Sequence, residues 1–148
     1  MIAVSACLLG YPCKYNGGHN KNQKVLDWLK DKEYICICPE SSGGLSSPRT
    51  PAEIVGGDGF DVLASKAKVL DKEGNDVSQA FINGAMATLK KAQKHGADTC
   101  ILKAKSPSCG VGTIYDGTFS GCTKPGFGVA AALLKQNGLK LLTEENLS

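Results

Sequence analysis

Residues 2–6 form a short apolar run containing β-branched side chains, and the pattern returns at 34–38, 99–102 and 139–142. Apolar runs of this length, bounded by turn formers, predict buried strands. Helical patterns lie between them. Asn22 can cap a helix that carries Val25, Leu26 and Leu29 on one side. Phe81, Ile82, Ala85, Met86, Leu89 and Ala92 recur at helical spacing behind Asp76 or Ser78 as the cap, and His95-Gly96 supplies the stop. A third helix is expected over 128–135, ended by Asn137-Gly138. Residues 52–55 and 62–70 read as short strands around Gly56-Gly57-Asp58-Gly59, a hairpin-like excursion. The stretches 8–20, 40–51 and 105–123 are rich in Gly, Ser and Pro and read as loops. Loops that long in a compact domain are usually functional or mobile.

The order is strand, helix, strand, excursion, helix, strand, helix, strand. Such alternation predicts an α/β fold: a single three-layer Rossmann-like domain over residues 1–148, with a short, mostly parallel sheet and helices on both faces. Ligands of such sheets bind at the carboxyl ends of the strands. The composition, 42% hydrophobic and 21% charged, is globular. The formal charge of +3 comes from scattered lysines, with no basic block interleaved with aromatics, which speaks against a nucleic-acid partner. No apolar run approaches the ~20 residues of a membrane span. The first residues also lack the basic leader of a signal peptide. A cytoplasmic protein without a membrane partner is expected.

Cysteine changes this picture. The chain has 7, an odd number that rules out complete internal pairing. Disulfides are unusual in a reducing cytosol in any case. Cys36 and Cys100 fall inside strands and read as core. Cys7 follows the first strand, Cys38 ends the second, and Cys109 lies in the loop after the third. All three therefore sit beyond the carboxyl ends of parallel strands, on one rim. Three soft thiolates there suggest zinc or an iron–sulfur cluster. Cys13 and Cys122, both in loops, are candidates for a fourth ligand. The absence of a C-x-x-C pair leaves the choice of metal open.

The same rim carries a resemblance. Ser5-Ala6-Cys7-Leu8-Leu9-Gly10, Cys38-Pro39-Glu40, Gly43-Gly44-Leu45, Pro48-Arg49-Thr50-Pro51-Ala52-Glu53-Ile54 and Ser106-Pro107-Ser108-Cys109-Gly110 follow in order. Ile114-Tyr115-Asp116-Gly117-Thr118-Phe119-Ser120 and Gly128-Val129-Ala130-Ala131-Ala132-Leu133 complete the series. Together they resemble a small bacterial family, long known as a domain of unknown function, some members of which are thiouracil desulfidases. The resemblance implies a [4Fe–4S] cluster held by three cysteines, Cys7, Cys38 and Cys109, with one iron left open. It further implies non-redox desulfuration of a thiolated pyrimidine or nucleoside, giving uracil and hydrogen sulfide. The chain departs from the family pattern at Lys124-Pro125-Gly126-Phe127, where a more polar, Asp-containing Gly motif is expected.

Roles for other residues follow from their places. Glu40, two residues past Cys38 on a chain turned by Pro39, is the expected base that activates water. Ser106 and Ser108 are candidates to bond the pyrimidine or protonate a ring nitrogen. Arg49 and Lys105 are candidates to orient a carbonyl or a ribose phosphate. The Gly126–Gly128 approach to the third helix could offer amides to an anion. Asp116 is read as a turn residue, and His19 and His95 as structural. Two other readings compete: a metal- or redox-sensing module, and another cluster- or zinc-dependent hydrolase or lyase.

Overall fold

A computed structural model describes residues 1–12, 15–46 and 49–147 of the chain. Four strands form one parallel sheet: β1 (Ile2–Ser5), β2 (Tyr34–Ile37), β5 (Thr99–Leu102) and β8 (Lys140–Thr143), in the order β2-β1-β5-β8. β1 is thus flanked by β2 and β5, with Ser5 level with Ile37 and Val4 level with Ile101. Side chains alternate across the sheet, as strand geometry requires. Ala3, Ile37, Cys100 and Leu102 pack on one face against Ala92 of helix α4 (Ser78–Lys94) and Ala131 and Leu134 of helix α5 (Val129–Gln136). Val4 and Ile101 pack on the other face against Val25 and Leu29 of helix α1 (Gln23–Leu29). The predicted layers are therefore present: helix, four-stranded parallel sheet, helix.

α1 starts where expected, with Asn22 Oδ1 accepting from Val25 N. α4 starts differently. Ser78 Oγ accepts from Val69 N and Asp76 Oδ1 accepts from Ser78 N, so neither caps the helix, and the N-cap is Val77. Met86, expected on the buried face of α4, is 59% exposed. The buried face is Phe81, Gly84, Ala85, Thr88 and Ala92.

Three loop readings need correction. Leu8 and Leu9, expected to open a loop, belong with Ala6 and Cys7 to a turn of 3₁₀ helix, Ala6–Leu9. The expected loop after β2 begins with a short helix, α2 (Pro39–Ser42), which has Cys38 as N-cap and Pro39 in its first turn. The excursion is not a simple hairpin. β3 (Ala52–Val55) and β4 (Lys68–Asp71) pair antiparallel, but helix α3 (Gly59–Leu63) stands between them where a strand was expected. Asp58 and Asp61 close a reciprocal capping box at its start. The long loop after β5 also contains a hairpin, β6 (Thr113–Tyr115) with β7 (Thr123–Pro125). A separate core of Ile54, Val62, Val69, Phe81, Ala85, Ile114, Val129 and Ala130 joins this outer part to α4 and α5.

Candidate metal centre and active site

The carboxyl ends of β2, β1 and β5 are neighbours, and the loops leaving them wall a cavity of about 500 Å³. Cys7, Cys38 and Cys109 all line it. Sequence spacing spread these thiols over more than 100 positions; the parallel register gathers them. Two close backbone approaches then hold the segments that carry Cys38 and Cys109. Gly43, just after α2, and Gly84 of α4 let the two helices touch backbone to backbone: a Cβ on Gly84 would stand 1.8 Å from the Pro39 carbonyl oxygen. On the other side a Cβ on Gly128 would stand 2.5 Å from the Ser108 carbonyl carbon.

The Cys109 loop is anchored from several sides. Ser106 Oγ accepts from Ser108 N and Cys109 N, both at 3.2 Å. The carbonyls of Pro107 and Ser108 accept from Val129 N (2.8 Å) and Ala131 N (3.0 Å) in the first turn of α5. At its sulfur, Cys109 receives Ser5 Oγ at 3.5 Å and Ser108 Oγ at 3.7 Å. Cys109 is 4% exposed, and burial pushes its thiol up to about 12. The Ser5 hydroxyl pulls back, the Glu40 charge pushes up, the Ser108 hydroxyl pulls back, and Cys7 pushes up, in decreasing order. Cys7 and Glu40 therefore both stand within electrostatic reach of this sulfur. Cys38 Sγ donates to Ser41 Oγ at 3.2 Å.

Glu40 lies in the first turn of α2, with its carboxylate in the cavity and 3.1 Å from Arg49 Nη2. Their side chains are only 21% and 8% exposed. Arg49 is itself fixed by Nη1 donating to Ser46 O at 2.9 Å and by its backbone amide on Tyr15 O. Burial raises the Glu40 carboxyl above its ordinary value; Arg49 opposes this, Cys38 adds to it, and a hydrogen bond with Ser108 opposes it. Ser106 Oγ and Ser108 Oγ are 3.1 Å apart. Glu40, Ser108, Ser106 and Cys109 thus form one connected polar group on the cavity wall.

Not every expected residue reaches the cavity. Lys105 is not among its lining residues; its backbone is left-handed, at φ 67°, and bridges to Ile114. Lys103 lines the cavity instead, with Nζ 2.8 Å from Glu144 Oε2. It is the first residue after β5, the rim position that Cys38 holds after β2, and that signal was available in the sequence. Tyr15, Glu53, Lys72, Tyr115 and Phe119 also line the cavity and were not foreseen. The anion reading of Gly126–Gly128 fails on its donors: Gly126 N is given to Gly112 O, Phe127 N to Asp58 Oδ2 and Gly128 N to Gly110 O. Cys122 is exposed and does not line the cavity, and Cys13 lies outside the described residues. Asp116 binds its own turn, accepting from Thr118 N.

The donor set can be tested against a metal group. Among the described residues, no three His, Cys, Asp or Glu stand close enough to hold one metal ion. A single zinc needs its ligands at about 2.0–2.3 Å from one point. A cubane cluster binds each thiolate to a different iron, so its ligands stand farther apart around a larger space. Three soft thiols lining one cavity of about 500 Å³ are the kind of donor set a cluster takes.

A doubly covered parallel sheet with three thiols and a paired carboxylate at its carboxyl rim defines a class, the α/β enzyme with a cysteine-lined pocket. Comparison with known proteins narrows it. The family model described as 2-thiouracil desulfurase matches residues 2–146, and the chain belongs to this family, whose function is [4Fe–4S]-dependent thiouracil desulfidation. A relative from Bacillus subtilis (strain 168), the uncharacterized protein YbbK, is 48% identical over 148 residues, which is 100% of this chain and 98% of the relative. A solved structure, that of the [4Fe–4S]-dependent thiouracil desulfidase TudS, is 38% identical with a TM-score of 0.85, covering 99% of this chain and 91% of that one. No helix among the described residues is long and apolar enough to cross a membrane.

Proposed function

We propose that Cys7, Cys38 and Cys109 hold the [4Fe–4S] cluster of this desulfidase and that Glu40 is its proton-handling group. The observation that carries the assignment is the convergence of these three thiols and one partly buried carboxylate on a single cavity. A cluster with three protein thiolates supplies an open, thiophilic iron, a Lewis acid that prefers a thiocarbonyl sulfur to a carbonyl oxygen.

The chain's own residues supply the rest. Water adds to the ring carbon of the thiolated pyrimidine, and hydrosulfide leaves; with its proton the products are uracil and hydrogen sulfide, with no net electron transfer. Glu40 takes the proton of the attacking water, held in place by Arg49. Ser106 and Ser108, linked at 3.1 Å, carry a proton between Glu40 and the ring. A hydroxyl has one proton to give, so Ser108 serves either Glu40 or the Cys109 sulfur at one moment. Arg49 also orients the substrate carbonyl. Tyr15 and Tyr115 at the mouth leave room for a free base or a nucleoside. We place the working protein in a reducing compartment, where these thiols stay available.

The test is anaerobic cluster loading followed by hydrogen sulfide assay with 2-thiouracil and 4-thiouracil. Glu40→Gln with full iron content should lose about 10²–10⁴ in rate. Full activity of that variant removes the proton role, and a loaded wild type that releases no sulfide removes the reading.

A further inference from the structure

The chain has 4 phenylalanines, and 3 of them have evident packing partners. Phe81 is 1% exposed in the core, and Phe60 and Phe127 meet edge to face at 5.5 Å. Phe119 is different. It belongs to none of the buried clusters or the hydrophobics packed against them, and it lines the cavity beside Tyr115 and Gly121. Its backbone is left-handed, at φ 56°. That region is uncommon for any residue but glycine, and a bulky ring there is an outlier that the surroundings must impose.

One side chain imposes it. Glu53 Oε1, on β3, accepts from Gly117 N at 2.9 Å and from Phe119 N at 3.2 Å. Gly117, at φ 92°, is pressed on β3 so closely that a Cβ would stand 2.7 Å from Ile54 O. Thr118 Oγ1 ties the crest to Asp116 Oδ1 and Ser120 Oγ, each at 2.5 Å. The tip of the β6–β7 hairpin is thus fastened to the excursion by a carboxylate, and the result is an aromatic ring held out of the core at the cavity.

We propose that Phe119 is a substrate-contacting residue, a platform on which the planar thiolated heterocycle stacks, and that Glu53 is its positioning residue. This rests on the desulfidase reading of the same cavity and names how the ring is held. A flat heterocycle has apolar faces that need covering and polar edges that must stay directed. An aromatic platform covers a face while leaving the sulfur free to point toward the thiols.

The experiment uses the anaerobically loaded full chain, with 4-thiouracil as substrate and sulfide release as readout. Phe119→Leu keeps bulk and removes the π face; it should raise KM about tenfold or more, with kcat near the wild-type value. Glu53→Ala should reproduce that split. Glu53→Gln should restore KM, since its amide oxygen still accepts both N–H groups. Iron content and visible spectrum should match wild type throughout. A second arm measures calorimetric binding of uracil to the unloaded chain, where Phe119→Leu should weaken affinity by the same factor. Wild-type KM and uracil affinity in Phe119→Leu overturn the platform. A wild-type KM in Glu53→Ala overturns the positioning role. If the loaded wild type releases no sulfide, the desulfidase reading fails, while the uracil comparison still decides whether Phe119 is a platform.

Discussion

Replacing Gly84 by Ala sets two effects of opposite sign against each other. Gly84 lies in the middle of α4, and helix propensity alone predicts a gain of about 1 kcal/mol for Ala there. Its Cβ, however, would stand 1.8 Å from Pro39 O, 2.8 Å from Pro39 C and 3.1 Å from Gly43 N. These are backbone atoms and cannot swing aside, so α2 must retreat by about 1.5 Å to restore ordinary contact. Overpacking of this kind costs about 1–3 kcal/mol, so the clash offsets the propensity and leaves a net loss of up to about 2 kcal/mol. In a chain of this size 1 kcal/mol moves Tm by about 2–4 °C. The larger effect is on the site. α2 carries Glu40 and begins at Cys38, and a misplacement of about 1 Å at a reacting group can cost 10²-fold in rate. Thermal denaturation should show Gly84→Ala modestly less stable, and sulfide release per loaded cluster should fall about a hundredfold. Met86→Ala, on the exposed face of the same helix, should change stability by no more than about 0.5 kcal/mol and leave activity intact. A Gly84→Ala protein more stable than wild type, with full activity, would refute the argument.

Two further outcomes follow from the structure. Burial, with the Asp98 charge second, pushes the Cys100 thiol up to about 12 from an ordinary 9.0, so between those pH values the unfolded chain releases a proton that the folded chain keeps. Stability should therefore fall as pH rises above 9, by up to about 1.4 kcal/mol per pH unit from this group, and Cys100→Ala should flatten the fall; equal slopes in denaturant titrations at pH 9 and above would contradict it. Lys105→Gly relieves a left-handed non-glycine residue that does not line the cavity, so it should gain about 0.5–1 kcal/mol with KM unchanged; a clear rise in KM would show that Lys105 reaches the substrate.

The inner half of the site was legible because it depends on sheet topology. Once 2–6, 34–38 and 99–102 are read as parallel neighbours, their carboxyl ends must share a rim; Cys7 and Cys38 stand at it, and the loop that carries Cys109 leaves from it. The outer half was not legible, for reasons that differ by element. Val62 and Leu63 belong to an apolar run with Val69 and Leu70, and a short run does not distinguish strand from helix; the capping box of Asp58 and Asp61 was the better signal. β6 and β7 have 3 residues each, too few for alternation to show. On α4 the hydrophobic pattern named Met86 and passed over Gly84. A glycine buried for close approach contributes nothing to such a pattern, yet it decides where α2 sits.

The α5 terminus shows how one element can serve the site without touching a ligand. A helix start leaves unpaired amides, which makes it a natural anion site. No side chain caps α5. Its amides are instead taken by carbonyls of the Cys109 loop, Val129 N by Pro107 O and Ala131 N by Ser108 O, while Gly128 N goes to Gly110 O. The same hydrogen-bonding capacity that would have held an anion therefore holds a cysteine. Cys109 lies well past the end of β5, where a loop alone would leave its sulfur wandering. Docked on α5, and closed against it by the missing side chain of Gly128, the loop becomes as fixed as the strand ends that present Cys7 and Cys38. Convergence of the three thiols thus needs only the sheet for two of them, and requires a helix start for the third.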